Sequence, residues 1–446
     1  MKCLTWLVLP MILLLTISSP AWAQKKNAAG SIDNSQLFAN PFLLSSDTTG
    51  LNLVKDTQAI ASLNTFIYSA IYQRAFPGCQ ILAAKDGKII FNKCFGTLDY
   101  NSAHRVTDTT LYDIASVTKI MATTLALMKL YDEGKLILNS NLLAYIPDLV
   151  KGSDKAYMRI DDLMMHQAGL KSWIPFYKAT LDKEQGGGDR NIYHKRAGKQ
   201  YGIAVAKDMY ILNTYPDTIW KTIMDSRLEN KGRYVYSDLD LMFLQKVVEA
   251  ITQMPLDEYV EQHFYQPMGL RLTMFNPWKQ GLTEQCAPTE NDMIFREQVV
   301  RGYVHDPGAA MLGGVAGHAG VFSTKAELAV ILQMLLNGGE YNGTTYLSRS
   351  TIQLFTNYHS TISRRGYCFD KPNKEPGSGG PAADICNKTA FGHQGFTGTC
   401  VWADPATGIL FIFLSNRVYP SADNKLIGRL DIRTKAQEYI YKALGY

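Results

Sequence analysis

Ser116-Val117-Thr118-Lys119 sets a hydroxyl and an amine three residues apart. On a helix that spacing puts both side chains on one face, with Cβ atoms about 5–6 Å apart. Serine is a poor nucleophile until a placed base takes its proton during attack, and an amine within reach is such a base. A helix start adds a further element. Its first N–H groups have no partner inside the helix, and the helix dipole favours negative charge beside them. Nucleophile, base and a stabiliser of developing oxyanion charge would then share one turn. The pattern alone is weak, because about one Ser-x-x-Lys arises by chance in such a chain, and Ser116 would serve equally as an N-cap.

Two further clusters carry groups suited to the same chemistry. Tyr234-Val235-Tyr236-Ser237-Asp238 lies just before a helical pattern at Asp238–Thr252, with a phenol and a carboxylate two residues apart. Gly392-His393-Gln394-Gly395-Phe396-Thr397-Gly398 leads into a β-rich run, where glycines admit a substrate backbone at close range. Taken singly, Asp238 is explained as an N-cap and His393 as a hydrogen-bonding residue at a strand start.

The elements that must hold these residues follow from periodicity. From Ser116 to Tyr131 there is no Gly or Pro and apolar residues face nearly every direction, which predicts a buried helix. Ile60, Leu63, Phe66, Ile67, Ala70 and Ile71 repeat at helical spacing near Asp56–Arg74. Cys79–Lys85 and Lys88–Gly96 flank Asp86-Gly87, a strong hairpin signal. Gly395–Ala403 and Gly408–Ser415 flank Asp404-Pro405-Ala406-Thr407 and predict a second hairpin, and Leu426–Leu444 reads as a closing helix. The expected class is α/β in an α+β arrangement: a mainly antiparallel sheet from the N- and C-terminal segments, 56–135 and 316–446, flanked by helices. Residues 136–315 read as a mostly helical inserted domain, with Ile160–Met165 among its clearer helices. Within it, 177–231, with Gly186-Gly187-Gly188, reads as a long loop insertion of the kind that carries substrate contacts.

Bulk properties narrow the function. The 46% hydrophobic and 19% charged residues are those of a globular chain, and a net charge of +5 without basic runs gives no nucleic-acid footprint. Residues 1–23 join Lys2, a short apolar run and Ala21-Trp22-Ala23. This predicts a secretory signal cleaved after Ala23, hence an exported protein, periplasmic or secreted, with no membrane anchor after cleavage. Residues 24–55 read as a flexible leader. Cys79, Cys94, Cys286, Cys368, Cys386 and Cys400 remain after cleavage. Cys368 and Cys386 bracket a Pro/Gly-rich loop and are the first candidate disulfide. Cys79 and Cys94 fall opposite each other across Asp86-Gly87, at a hydrogen-bonded position where side chains lie farther apart. No Cys/His spacing suggests a metal, and no cofactor is expected.

In the order Ser-x-x-Lys, Tyr-Ser-Asp, His-Gln-Gly, the three clusters resemble the signature elements of the penicillin-recognising serine hydrolases: class C β-lactamases, DD-peptidases and related esterases. The resemblance spans about residues 56–446. His305-Asp306-Pro307 and Gly313-Gly314-Val315-Ala316-Gly317-His318-Ala319-Gly320 look closest to the penicillin-binding protein 4B-like branch. It implies the DD-peptidase/β-lactamase fold, Ser116 as acylated nucleophile, Lys119 as its proton partner and Tyr236 as the phenol serving the leaving group. It further implies an oxyanion hole from the Ser116 and Phe396 N–H groups, and substrate contacts at Asp238, His393, Gln394 and Gly395. Two positions depart from the pattern. Asp238 stands where Asn is common, and His393-Gln394-Gly395 where Lys-Thr-Gly is usual, so an imidazole replaces a permanent cation. Both changes weaken the case for carboxylate-bearing β-lactams. The resulting expectation is a serine hydrolase working through an acyl-enzyme on small-molecule or peptide substrates. D-amino-acid cell-wall peptides lead, as for a DD-carboxypeptidase; ester or weak β-lactam hydrolysis and non-catalytic muropeptide binding are the alternatives. His166, His305, His318 and Asp306 are assigned to loop-fixing hydrogen bonds.

Overall fold

Asp86 and Gly87 both adopt positive φ, the conformation that a tight two-residue hairpin requires. In the computed structural model they join β1 (Gly78–Lys85) to β2 (Lys88–Gly96). The structure describes Ser45 and residues 50–446 apart from Gln185, Asn230, Pro376 and Ser378. The expected signal segment and most of the leader lie outside the described residues. The leader's last residues are held: Leu51–Leu53 form a 3₁₀ turn, and the N–H groups of Lys55 and Asp56 donate to the Ala443 carbonyl.

A helix, α1 (Thr57–Tyr72), precedes the hairpin, with the Asp56 carboxylate capping the N–H groups of Gln58 and Ala59. After α2 (Thr124–Asp132), α3 (Asp238–Thr252) and α4 (Lys325–Leu336), the chain returns to the sheet as β3 (Phe391–Gly395), β4 (Thr399–Asp404) and β5 (Ile409–Ser415), and ends in α5 (Ile432–Ala443). The antiparallel sheet has the order β3-β4-β5-β1-β2. Its centre joins the two ends of the chain, with Ile81 paired to Phe413 and Ala83 to Phe411. Every residue of β5 is buried, which explains its unbroken apolar run. Leu63 and Ile67 of α1 and Ile440 of α5 pack with Ile81, Phe411 and Phe413 in the main core. Gln80, pointing to the other face, accepts the Lys325 N–H at the start of α4.

Several expectations are corrected. Gly395–Ala403 is not one strand: β3 ends at Gly395, residues 396–398 turn with Gly398 at φ +103°, and β4 begins at Thr399. A Cβ on Gly395 would lie 2.1 Å from Thr399 Oγ1 and 2.5 Å from the Ile114 carbonyl oxygen, so only glycine fits there. The closing helix breaks at Asp431, which takes a left-handed conformation between Leu426–Arg429 and α5. Segment 177–231 is more than a loop. It contains a three-stranded antiparallel sheet from Tyr193–His194, Ile203–Ala206 and Met209–Ile211, and a helix at Tyr215–Asp225. Strands of two to four residues are too short to show a period.

All six described cysteines are unpaired. A register shift at Ala83/Ala84 sets Cys79 opposite Phe95 and Cys94 opposite Gln80, so the two thiols leave opposite faces of the sheet. Cys368 packs against Thr124 and Cys386 against Tyr441, which separates the other candidate pair. No helix among the described residues is long and apolar enough to cross a membrane.

Candidate active site

Ala115 enters the site at φ +47°, with its N–H held by the Asp113 carboxylate at 2.8 Å. Beyond it the expected uniform helix is three helical types in succession. Ala115–Val117 is a 3₁₀ turn, Lys119–Thr123 a π turn, and only from Thr124 does α2 begin. Within the widened turn the hydroxyls of Thr124 and Tyr265 take the carbonyls of Lys119 and Met121. Such short π segments are frequent at functional sites. The altered winding keeps Ser116 and Lys119 together: Lys119 Nζ donates to Ser116 Oγ at 3.0 Å.

Lys119 is wholly buried, and its three ammonium protons have three acceptors: Ser116 Oγ, Asp238 Oδ1 at 2.7 Å and the His318 carbonyl at 3.3 Å. Burial opposes its charge, but the Asp238 carboxylate and then the Tyr236 phenol outweigh it, so the pKa of Lys119 is raised. Burial likewise raises the Tyr236 phenol, against the pull of Lys119, whose Nζ lies 4.9 Å from the ring centroid. The pair therefore rests as ammonium and phenol at neutral pH. Asp238 lines the cleft, yet its Oδ1 belongs to Lys119. The N-cap of α3 is Ser237, whose hydroxyl accepts the Leu239 N–H, and not Asp238.

The opposite wall is β3 and its turn. His393 is 3% exposed; its Nε2 accepts from Arg365 Nη1 at 3.1 Å and its Nδ1 donates to the Gln394 carbonyl. Burial, reinforced by Arg365 and Lys119, pushes the imidazole down to about 3, so it is neutral. The Gln394 side chain is turned to the Pro381 carbonyl. Phe396 stands half-exposed at the rim. Its turn is tied to the segment before Ser116 by two hydroxyls, Thr397 Oγ1 to the Asp113 carbonyl at 2.7 Å and Thr399 Oγ1 to that of Ile114 at 3.0 Å. Among the described residues no acceptor takes the N–H of Ser116 or of Phe396.

Arg365 is a site residue that sequence reasoning missed. It is buried behind His393, donates to the Tyr234 hydroxyl at 3.2 Å, lies 3.6 Å from Asp370 and holds its Cζ 5.2 Å from the Tyr236 ring centroid. A cation thus stands behind the imidazole that replaces the usual lysine. Its segment has no periodicity, so nothing in the sequence marks it.

The three histidines given loop-fixing hydrogen bonds each face a carboxylate: His305 Nε2 lies 2.8 Å from Glu290 Oε2, with its ring stacked on Phe396. His318 Nε2 lies 3.0 Å from Asp306 Oδ1, and although burial pushes the Asp306 carboxyl up, His318 holds it well below the usual range. Asp306 also caps Pro307–Met311. His166 and Asp240 share a 2.7 Å contact behind Tyr236; burial lowers the one and raises the other, leaving an uncharged pair. Asp238, Asp306 and His318 bring three potential metal-ligand atoms within 4.8 Å of one another. Asp238 is already ion-paired with Lys119, and Asp306 Oδ1 lies 3.0 Å from His318 Nε2.

These groups line a cleft of about 970 Å³, with Trp173, Tyr177 and Phe295 on its apolar side. A nucleophile bonded to a buried ammonium, a phenol beside it, and two free N–H groups on segments tied together can carry out acyl transfer.

The Beta-lactamase family profile matches residues 52–434. A protein of Salmonella enteritidis PT4 (strain P125109), named "Putative D-alanyl-D-alanine carboxypeptidase", is 33% identical over 395 residues, covering 83% of this chain and 85% of its own. Among solved structures, the hydrolase EstCE1, described as having promiscuous acyltransferase activity, aligns with a TM-score of 0.63 at 18% identity, over 86% of this chain and 99% of its own. A penicillin-binding protein homologue from Caulobacter crescentus aligns at 0.62 and 17% identity, over 86% and 97%.

Proposed function

Since the chain belongs to the Beta-lactamase family and is a serine hydrolase of it, we propose that Ser116 is its acylated nucleophile and that it trims D-amino-acid-containing cell-wall peptides as an exported DD-carboxypeptidase. The observation that carries the reading is the 3.0 Å contact between Lys119 Nζ and Ser116 Oγ inside the cleft. Ser116 Oγ attacks the scissile carbonyl, and its proton passes to the Lys119–Tyr236 pair, which returns one to the leaving amine. The N–H groups of Ser116 and Phe396 receive the oxyanion, an interaction whose loss of one donor costs about 2.7–4 kcal/mol. Water then releases the acyl group by the same route in reverse.

The resting charges set the pH dependence. With ammonium and phenol both protonated, acylation draws on the minority of molecules in which the pair has lost one proton. The acylation rate rises with pH until that proton is gone.

The substrate reading rests on the related carboxypeptidase sequences and on the neutral His393, which removes the cation usually offered to a β-lactam carboxylate. Labelling by a fluorophosphonate or a fluorescent penicillin, lost in Ser116→Ala, tests the nucleophile. Hydrolysis of a D-Ala-D-Ala peptide, nitrocefin and a short p-nitrophenyl ester tests the substrate; ester turnover without peptide turnover would make this an esterase. Periplasmic fractionation with a mature N-terminus at Gln24 tests export.

A further inference from the structure

We infer that Arg433, assisted by Arg417, is a positioning residue for the oxyanion hole, holding the peptide unit that carries the Phe396 N–H. The inference rests on the reading of Ser116 as nucleophile.

Arg433 rises from α5, an element remote in sequence from every motif of the site. Its Nη1 donates to the Gly395 carbonyl at 3.2 Å and to the Thr399 carbonyl at 3.1 Å, the two carbonyls that bracket the 396–398 turn. Arg417, just past β5, donates from Nε to the Phe396 carbonyl at 2.8 Å and lays its Cζ 4.3 Å from the Phe396 ring centroid. The successive carbonyls of Gly395 and Phe396 are thus each gripped by a guanidinium. In a trans peptide the carbonyl and the N–H point in opposite directions, and the one cis bond among the described residues is Tyr419–Pro420. Holding the Gly395 carbonyl therefore sets the opposite direction of the Phe396 N–H, which has no acceptor among the described residues. The Ser116 side of the hole is registered to the same turn through Thr397 and Thr399.

Charge gives the second argument. Neither Arg417 nor Arg433 forms an ion pair among the described residues, and both line the cleft. Two guanidiniums kept near each other, with Glu290 and Asp431 acting on them only from beyond ion-pair contact, are costly as scaffolding, because apolar groups pack a helix on a sheet at no such cost. Burial and their mutual repulsion push Arg417 down to about 10, a measure of that opposition. A cation bonded to a peptide carbonyl also polarises the peptide, strengthening the N–H on its other edge as a donor. The positive field of the pair favours an oxyanion in the cleft and leaves a neutral ground-state carbonyl nearly unaffected.

The test compares wild type, Arg433→Gln and Arg433→Lys by kcat and KM on an ester or peptide substrate, by affinity for a boronic acid that forms a tetrahedral adduct on serine, and by Tm. A displaced donor is expected to lower kcat and boronate affinity together by about 10- to 100-fold with KM nearly unchanged. Arg433→Lys should recover most of the loss, and supplies the readout if the Gln variant does not fold. Boronate affinity unchanged in a folded variant, or kcat and Tm falling while KM rises as for a loosened scaffold, would overturn the role. A wild type that takes no fluorophosphonate at Ser116 overturns the nucleophile reading and this role with it; a labelled wild type with insensitive variants overturns this role alone.

Discussion

On the wall of the cleft that carries Ser116, polar side chains pair with one another: Lys119 with Asp238, Asp306 with His318, and the uncharged His166–Asp240 pair behind them. On the wall built from β3 and its turn, the group proposed to meet the substrate is a backbone N–H. The charged side chains there, Arg365, Arg417 and Arg433, reach the imidazole or the carbonyls from behind. In the proposed mechanism the first wall moves protons, which calls for titratable groups with matched affinities. The second is proposed to receive charge, which calls for rigid dipoles that do not reorganise. Their hydrogen bonds meet at Asp113 and Ile114, two residues and one residue before Ala115.

Substitutions on the two walls should differ in kind. Ser116→Ala should reduce turnover by about 10⁴-fold or more and abolish labelling while leaving ligand binding; substantial residual turnover would remove the first wall from the chemistry. Lys119→Met should follow at about 10³-fold, read as the single-turnover acylation rate, with a flattened pH profile because the coupled pair is gone.

Asp238→Asn tests the pairing itself. Without its carboxylate the Lys119 ammonium loses its largest stabilising partner, and the rising limb of the acylation profile should move to lower pH. An unmoved limb would mean that Asp238 does not tune the pair.

The last test falls on the second wall and concerns stability rather than turnover. Folded His393 has its pKa near 3 against an ordinary 6.5, so the unfolded chain binds the proton first. The stability present above pH 6.5 is lost as pH falls toward 3, by about 1.4 kcal/mol per pH unit for this group. Denaturant titrations from pH 7 to 4 should show a shallower decline in His393→Gln than in wild type; parallel curves would mean that the imidazole takes a proton in the folded state.

Much of the first wall could be read in advance. Ser116, Lys119 and Tyr236 stand in recognisable short patterns, and the structure sets Ser116 and Tyr236 in the lining of one cleft with Lys119 buried against Ser116. The elements behind them were readable for a similar reason. Cys79–Lys85, Asp86-Gly87 and Asp238–Thr252 declare themselves by local period and turn chemistry, which neighbouring residues suffice to specify. The misreadings share an opposite cause. The 3₁₀ and π windings around Ser116, the turn that splits Gly395–Ala403 and the bulge that parts Cys79 from Cys94 depend on what packs against the strand or helix.

The order of the motifs and the residue types of the reacting side chains were decided in the sequence, because a hydroxyl, an amine and a phenol keep their chemistry wherever the chain puts them. The partners of those groups were decided only in three dimensions. Asp238 becomes the counter-ion of Lys119, Arg365 the cation behind a neutral His393, and Arg433 the grip on the Gly395 carbonyl because residues 119, 28 and 38 positions apart are brought within hydrogen-bond range. Hydrogen bonds act over about 3 Å and depend on direction, so no spacing along the chain encodes them; the closed sheet and the helices packed on it do.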